Sequence, residues 1–193
     1  RRIKLASVGC AIPNTEYRLV DLATGADVEP TQLGEVWIRG PQVMKGYLNN
    51  PAATRDMIDA DGWLHSGDIG YADRDGYLFV VDRVKELIKY KGLQVAPAEL
   101  EGIIQAHPSV ADAAVIPVPD LEAGEIPKAF VVLKPGIQVS PDDLMNHVAA
   151  HVAPHKKIRE VEFIDAIPKV PSGKILRREL RNRDKASRER GNA

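Results

Sequence analysis

Four short clusters in the 193-residue sequence combine side chains suited to a phosphorylated ligand. The first is Gly62-Trp63-Leu64-His65-Ser66-Gly67-Asp68. A carboxylate that follows a glycine beside a strand can accept two hydroxyl hydrogen bonds, as from a ribose diol. A turn aspartate bonded to nearby backbone has the same pattern. The second is Asp82-Arg83-Val84-Lys85-Glu86. Arg83 can offer its fork to a phosphate or reach a sugar hydroxyl, and the same run of charges suits a solvated strand end or an interdomain hinge. The third is Lys89-Tyr90-Lys91-Gly92. Glycine in a tight turn lets backbone approach a ligand closely, and two lysines can neutralise phosphates; an exposed edge hairpin guarded by lysines reads alike. The fourth is Pro168-Lys169-Val170-Pro171-Ser172-Gly173-Lys174. Its end resembles a phosphate-binding loop, but that pattern needs glycine five residues before the Gly-Lys pair, where Pro168 stands. Lys174 is expected near a helix N-terminus, a favourable place for an anion.

Other chemistries find less support. The histidines are His65, His107, His147, His151 and His155. His147 and His151, four apart, can share a helix face and a metal, but no third ligand has a diagnostic spacing. A solvated face is expected, and no metal site. No Gly-x-Ser-x-Gly or Cys/His nucleophile arrangement occurs.

The elements that must carry these clusters follow from periodicity. Tyr17–Asp21 reads as a short strand, and Gly34–Arg39 alternates in period two as a half-buried strand should. Asn50-Pro51 starts a helix, with Asn as cap and Pro in the first turn. Ile69–Ala72 and Tyr77–Asp82 flank Asp73-Arg74-Asp75-Gly76 as a hairpin. Leu87–Tyr90 and Leu93–Val95 form a second hairpin around Lys91-Gly92. Pro97 opens a helix with Leu100, Ile103 and Ile104 as its apolar stripe. Strands are expected at Ala113–Pro117 and Ala129–Leu133. Ser140-Pro141-Asp142-Asp143 starts another helix, with its acids at the positive end of the dipole. Glu160–Ile164 is a last strand. Ser172 is expected to precede a last helix with a stripe at Ile175, Leu176 and Leu180. The order predicts an α+β fold: a small C-terminal domain with a three-stranded sheet, flanking helices and a β-hairpin, preceded by a mostly β segment.

Composition sets the frame. The chain has 26 Lys+Arg against 27 Asp+Glu and 44% hydrophobic residues, a globular balance that excludes a wholly disordered chain. No apolar run approaches the ~20 residues that span a bilayer. The single Cys10 excludes an internal disulfide and favours a reducing, cytoplasmic setting. Residues 169–193 hold nine Lys/Arg and three Asp/Glu. Without interleaved aromatic residues this basic end is not expected to bind nucleic acid. The start at Arg1 has neither Met nor a signal-peptide pattern, so a fragment is expected, with targeting left open. The end, Gly191-Asn192-Ala193, is not a peroxisomal Ser-Lys-Leu address.

Taken together and in order, these motifs resemble the C-terminal part of the adenylate-forming superfamily of acyl- and aryl-CoA synthetases, peptide-synthetase adenylation domains and beetle luciferases. The resemblance runs through Gly34-Glu-Val-Trp-Ile-Arg-Gly-Pro41, Met44-Lys-Gly-Tyr-Leu48, Ser66-Gly-Asp-Ile-Gly70 and Asp75–Arg83. It continues through Lys85–Gly92, Val95–Glu101, Gly124-Glu125 with Pro127, and Pro171–Leu176. The run Asp82–Glu101 looks most like the branch of 4-coumarate–CoA ligases, long-chain fatty-acid–CoA ligases and luciferases. Ser66 stands where that family more often has Thr, and His155 where it has Tyr.

The resemblance implies a division into residues 1–84, the end of a large N-terminal adenylating domain, and 85–193, a small mobile domain hinged at Lys85. It implies an ATP-dependent ligase: a carboxylic acid attacks the α-phosphate of MgATP to give acyl-AMP, and coenzyme A then expels AMP. Asp68 and Arg83 would bind the nucleotide, Lys174 would serve adenylation, and Lys89, Lys91 and Gly92 would face coenzyme A in the thioester step. The Mg²⁺ ligands and acid pocket would lie in the missing N-terminal domain. A fragment holding half a site would be inactive alone. A non-catalytic C-terminal binding or regulatory module and a luciferase-like oxygenase are the competing readings.

Overall fold

A computed structural model describes residues 3–191, and the chain divides into two compact units between Lys85 and Glu86. The first is an antiparallel meander of β1 (Glu16–Val20), β2 (Gly34–Arg39), β3 (Leu64–Ala72) and β4 (Leu78–Arg83), paired in chain order. Helix α1 (Pro51–Met57) lies between β2 and β3, and the Asn50 side chain accepts the Ala53 N–H at 3.1 Å, as its cap position predicts.

β3 starts well before the expected Ile69. Trp37 pairs with His65 and Glu35 with Ile69, so one residue of β2, Val36, faces three of β3. The excess is a bulge at Ser66-Gly67-Asp68, with Gly67 at φ +71. Beyond it Gly34 faces Gly70. A Cβ on Gly70 would lie 2.5 Å from the Phe79 carbonyl oxygen, so this close approach of three strands requires glycine.

The second unit is built on a long hairpin, β7 (Val110–Asp120) and β8 (Gly124–Leu133). β9 (Glu160–Phe163) runs parallel to β8, and the sheet has five strands where three and a separate hairpin were expected, because the hairpin described next also joins β8. The small hairpin β5 (Ile88–Tyr90) and β6 (Leu93–Val95) joins β8 through one residue pair, Tyr90 with Gly124. Alternation along the strands makes two cores. Ala113, Val115, Ala129 and Val131 face one way, with Leu100 and Ile104 of α2 (Pro97–Gln105) and Leu144 and Val148 of α3 (Pro141–Ala149). Ala114, Ile116, Val118 and Phe130 face the other way, with Leu180 of α4 (Arg177–Gly191). Each fully buried Leu or Ile contributes about 1.5–3 kcal/mol. Ser140 caps α3 by accepting the Asp143 N–H at 3.1 Å.

Both long strands exceed their expected bounds, and prolines hid the extensions. Pro117 pairs with Pro127 and Pro119 with Glu125, positions where a missing N–H is tolerated. The start of the last helix also differs. α4 begins at Arg177, so Ile175 and Leu176 lie outside it and Ser172 is not its cap. The segment 168–176 closes its own small hairpin instead. Lys169 bridges Ile175, Gly173 donates to the Val170 carbonyl at 2.8 Å, and Leu176 donates to the Pro168 carbonyl at 2.8 Å.

α4 carries the basic end, and many of its cations meet acids of the same unit. Buried Lys128 lies 2.7 Å from Asp184 and 2.9 Å from Glu162. Arg188 bonds Asp184 at 2.7 Å and Glu160 at 2.6 Å, and Arg183 bonds Glu162 at 2.8 Å. Among the described residues no helix is long and apolar enough to cross a membrane.

Candidate functional site

In the first unit the β3 bulge and the end of β4 bring two of the sequence candidates together. Asp68 is the register partner of Arg83, and Arg83 Nε lies 3.1 Å from Asp68 Oδ1. Both side chains keep solvent access, Arg83 half exposed and Asp68 about a third. Arg83 thus meets one carboxylate oxygen, and the pair presents acceptor and donor groups side by side.

Glu35 holds this bulge, a role that spacing alone did not reveal. Its Oε1 accepts the Gly67 N–H at 3.0 Å and its Oε2 accepts Trp37 Nε1–H at 3.0 Å. The His65 ring stacks on Trp37 with centroids 3.7 Å apart, and its Nε2 lies 3.6 Å from Asp59 Oδ2. Burial raises the Asp59 pKa, but N–H donors from Trp63 and Asp61, with His65 beside it, bring it below the ordinary carboxylate value. Lys85 is exposed within the 3-10 turn Val84–Glu86.

In the second unit the hairpin turn carries Lys91 at φ +49 and Gly92 at φ +80. A Cβ on Gly92 would meet nothing within 4 Å, so the backbone there is open to an approaching ligand. Lys89, Lys91 and Gly92 are exposed. Gln94 is the register partner of Lys89 across the two strands, a neighbour that sequence reasoning missed. The turn end of the hairpin is tied down by Arg159, which donates to the Tyr90 phenol at 3.2 Å and to the Pro154 carbonyl at 3.0 Å. That bond draws the Tyr90 phenol below its ordinary pKa.

Lys174 is exposed, three residues ahead of α4, and no ion pair engages it among the described residues. Its loop is fixed on both sides. Lys169 lies 2.6 Å from Asp112 of β7. Arg177 Nη2 bonds Glu101 Oε1 and Oε2 at 2.7 and 2.8 Å.

The two lysine loops are attached at opposite ends of one hairpin. The Lys174 loop joins at Asp112, the register partner of Val132. The Lys89 hairpin joins at Gly124, with Lys91 N–H bonded to the Ala123 carbonyl at 2.8 Å. Eight residues of β8 separate Val132 from Gly124, about 25 Å at ~3.3 Å per residue.

His147 Nε2 lies 3.2 Å from the Ile103 carbonyl oxygen, so this ring is half-buried against α2 and not on a solvated face. Among the described residues no group of three or more His, Cys, Asp or Glu is arranged to hold a metal.

Comparison with known proteins identifies the family. Residues 99–174 match the family model of the AMP-binding enzyme C-terminal domain, and residues 1–48 match that of the AMP-binding enzyme. The chain belongs to this family of adenylate-forming enzymes. Its relatives include 4-coumarate–CoA ligase-like 6 of Oryza sativa subsp. japonica, 59% identical over 90% of this chain and 29% of the relative. 4-Coumarate–CoA ligase 5 of the same plant is 54% identical over 93% of this chain and 33% of the relative. Among solved structures, ATP-bound MatB from Rhodopseudomonas palustris superposes with a TM-score of 0.86 at 32% identity, covering 92% of this chain and 35% of that one. The o-succinylbenzoate CoA synthetase of Bacillus subtilis, in complex with its acyl-adenylate intermediate, gives 0.80 at 35% identity, covering 92% and 36%. The chain thus spans about a third of the length of the proteins it matches.

Proposed function

We propose that this chain is the C-terminal part of an ATP-dependent acid–thiol ligase that makes an acyl-AMP and passes the acyl group to coenzyme A. In the first half-reaction a carboxylate oxygen bonds to the α-phosphorus and the bond to pyrophosphate breaks. In the second, the coenzyme A sulfur bonds to the acyl carbon, AMP leaves, and the thiol proton is released. Asp68 accepts the ribose hydroxyls, and Arg83, held against it, reaches toward ribose and phosphate. Lys174 places its positive charge on the phosphoryl and carboxylate oxygens, where charge spreads in the transition state. Lys89, Lys91 and Gly92 face the thiol-bearing arm, which passes over the open backbone of Gly92. Magnesium enters with ATP as its counter-ion. The described residues offer it no cluster, and its ligands are assigned to the N-terminal domain that supplies the acid pocket.

The observation that carries this reading is that the Lys169 and Tyr90 anchors of the two lysine loops lie about 25 Å apart along the β-hairpin. One reaction centre cannot meet both in a single orientation, so the small domain turns about Lys85 between the half-reactions. The same reading assigns a cytoplasmic location, in keeping with the single Cys10. The test is pyrophosphate exchange and thioester formation by the full-length protein with a panel of carboxylic acids. Acid-dependent exchange together with AMP release on adding coenzyme A is the expected result. Exchange that is unchanged in Lys174→Ala would remove the adenylation assignment.

A further inference from the structure

The hairpin that carries Lys89 has few ties to the sheet. β5 has three residues, and only Tyr90 is in register with β8, opposite Gly124. Around that pair, Lys91 N–H reaches the backbone carbonyl of Ala123. On the other side an antiparallel ladder would join Lys89 to residue 125 by a backbone bond. Here a side chain makes the bond instead: Lys89 N–H donates to Glu125 Oε2 at 2.7 Å.

We propose that Glu125 is a positioning residue for the thioester step, its carboxylate fixing the backbone of Lys89 and thereby the aim of the Lys89 ammonium group. This inference rests on the proposed role of Lys89. An N–H bond to a carboxylate is stronger than one to a neutral carbonyl, and Glu125 is half-buried, so water competes with it only partly. The contact fixes the backbone of Lys89, one of the two hairpin lysines assigned to the thioester step. Glu125 touches no reacting atom in this scheme; it acts through the peptide nitrogen of Lys89. Its side chain borders a cavity of about 430 Å³ that it shares with Pro117, Pro119 and Arg181. Glutamine therefore fits in its place and keeps an acceptor oxygen, whereas alanine leaves Lys89 N–H to water.

The experiment uses the full-length enzyme and measures the two half-reactions apart, with Lys89→Ala alongside. Glu125→Ala is expected to slow thioester formation from preformed acyl-AMP by about tenfold, the scale of a lost hydrogen bond to a charged group. Pyrophosphate exchange should stay within about twofold, which also reports that the domain is folded. Glu125→Gln should recover most of the thioester rate. Equal loss in both half-reactions, or a glutamine variant no better than alanine, overturns the proposal. If Lys89→Ala slows thioester formation and Glu125→Ala does not, the positioning role alone fails. If Lys89→Ala itself leaves thioester formation untouched, the reading of the hairpin fails instead.

Discussion

Arg177 grips both carboxylate oxygens of Glu101, at 2.7 and 2.8 Å, and the pair closes over the outer edge of β7. Glu101 also accepts the Val115 N–H at 2.9 Å, and Arg177 Nε reaches the Val115 carbonyl at 3.4 Å. The edge strand is thus covered by side chains from α2 and α4, which protects it from pairing with another chain. Because Glu101 is 8% exposed and the Arg177 side chain 15%, breaking the pair leaves a partly buried guanidinium without its carboxylate. Glu101→Ala should lower stability by about 3 kcal/mol. Glu101→Gln, which still accepts the Val115 N–H, should cost less. Urea unfolding of the purified protein measures both, and equal values for the two variants would contradict the edge role of Glu101.

The same pair sits three residues beyond Lys174, so it anchors the adenylation loop as Glu125 anchors the thioester hairpin. Lys174→Ala should reduce pyrophosphate exchange by about 100-fold while preformed acyl-AMP is still consumed. Lys89→Ala should show the reverse, with thioester formation reduced by about tenfold. Both are read in the full-length enzyme with released AMP and labelled pyrophosphate. Parallel losses in the two variants would mean that one orientation serves both steps.

Much of this arrangement could be read from residue order, and the exceptions have physical causes. Period-two alternation marked β2, because that strand divides its side chains between more and less buried positions. Asn50 and Ser140 announced their helices through their own chemistry. The bulge at Ser66-Gly67-Asp68 was not legible, because it depends on Glu35, 32 residues away, accepting the Gly67 N–H. The false helix start at Ser172 had a local hydroxyl signal in its favour. Gly173 at φ +86 and the bond from Leu176 to Pro168 overrode it by closing a hairpin first. The candidate residues themselves were legible by type, but the carboxylates that aim them, Glu35, Glu101 and Glu125, were not. Each acts across a distance in sequence that periodicity does not report.

Lys85 is exposed, and its proposed role lies in its backbone. Lys85→Ala should therefore leave both half-reactions within about twofold. Lys85→Pro fixes φ near −65° and should hold the small domain in one orientation. One half-reaction should then persist and the other fall by at least about 100-fold. A proline variant that completes both steps at the normal rate would remove the hinge assignment.

The charge network under α4 predicts how stability depends on pH. Burial works against the charged form of Lys128, but Asp184 and Glu162 outweigh it and raise the ammonium above its ordinary 10.5. Burial likewise opposes ionisation of Asp184 and Glu162, yet Lys128 with Arg188 and Arg183 holds both carboxyls below their ordinary 3.8 and 4.5. A depressed carboxyl binds fewer protons folded than unfolded, so its contribution is complete above about pH 5 and is lost as pH falls through the folded value. A raised ammonium behaves oppositely, contributing fully below about pH 10 and losing its effect above that. The docking of α4 is thus strongest between about pH 5 and 10. Thermal melting across pH should fall on both sides of this window. Asp184→Asn should lower the melting temperature within the window and flatten the acid limb, because the group that binds the extra proton is gone. Since Lys128 is buried, 0.5 M salt should weaken this contribution far less than that of an exposed pair. An acid limb as steep in Asp184→Asn as in the parent would assign the pH dependence to other carboxylates.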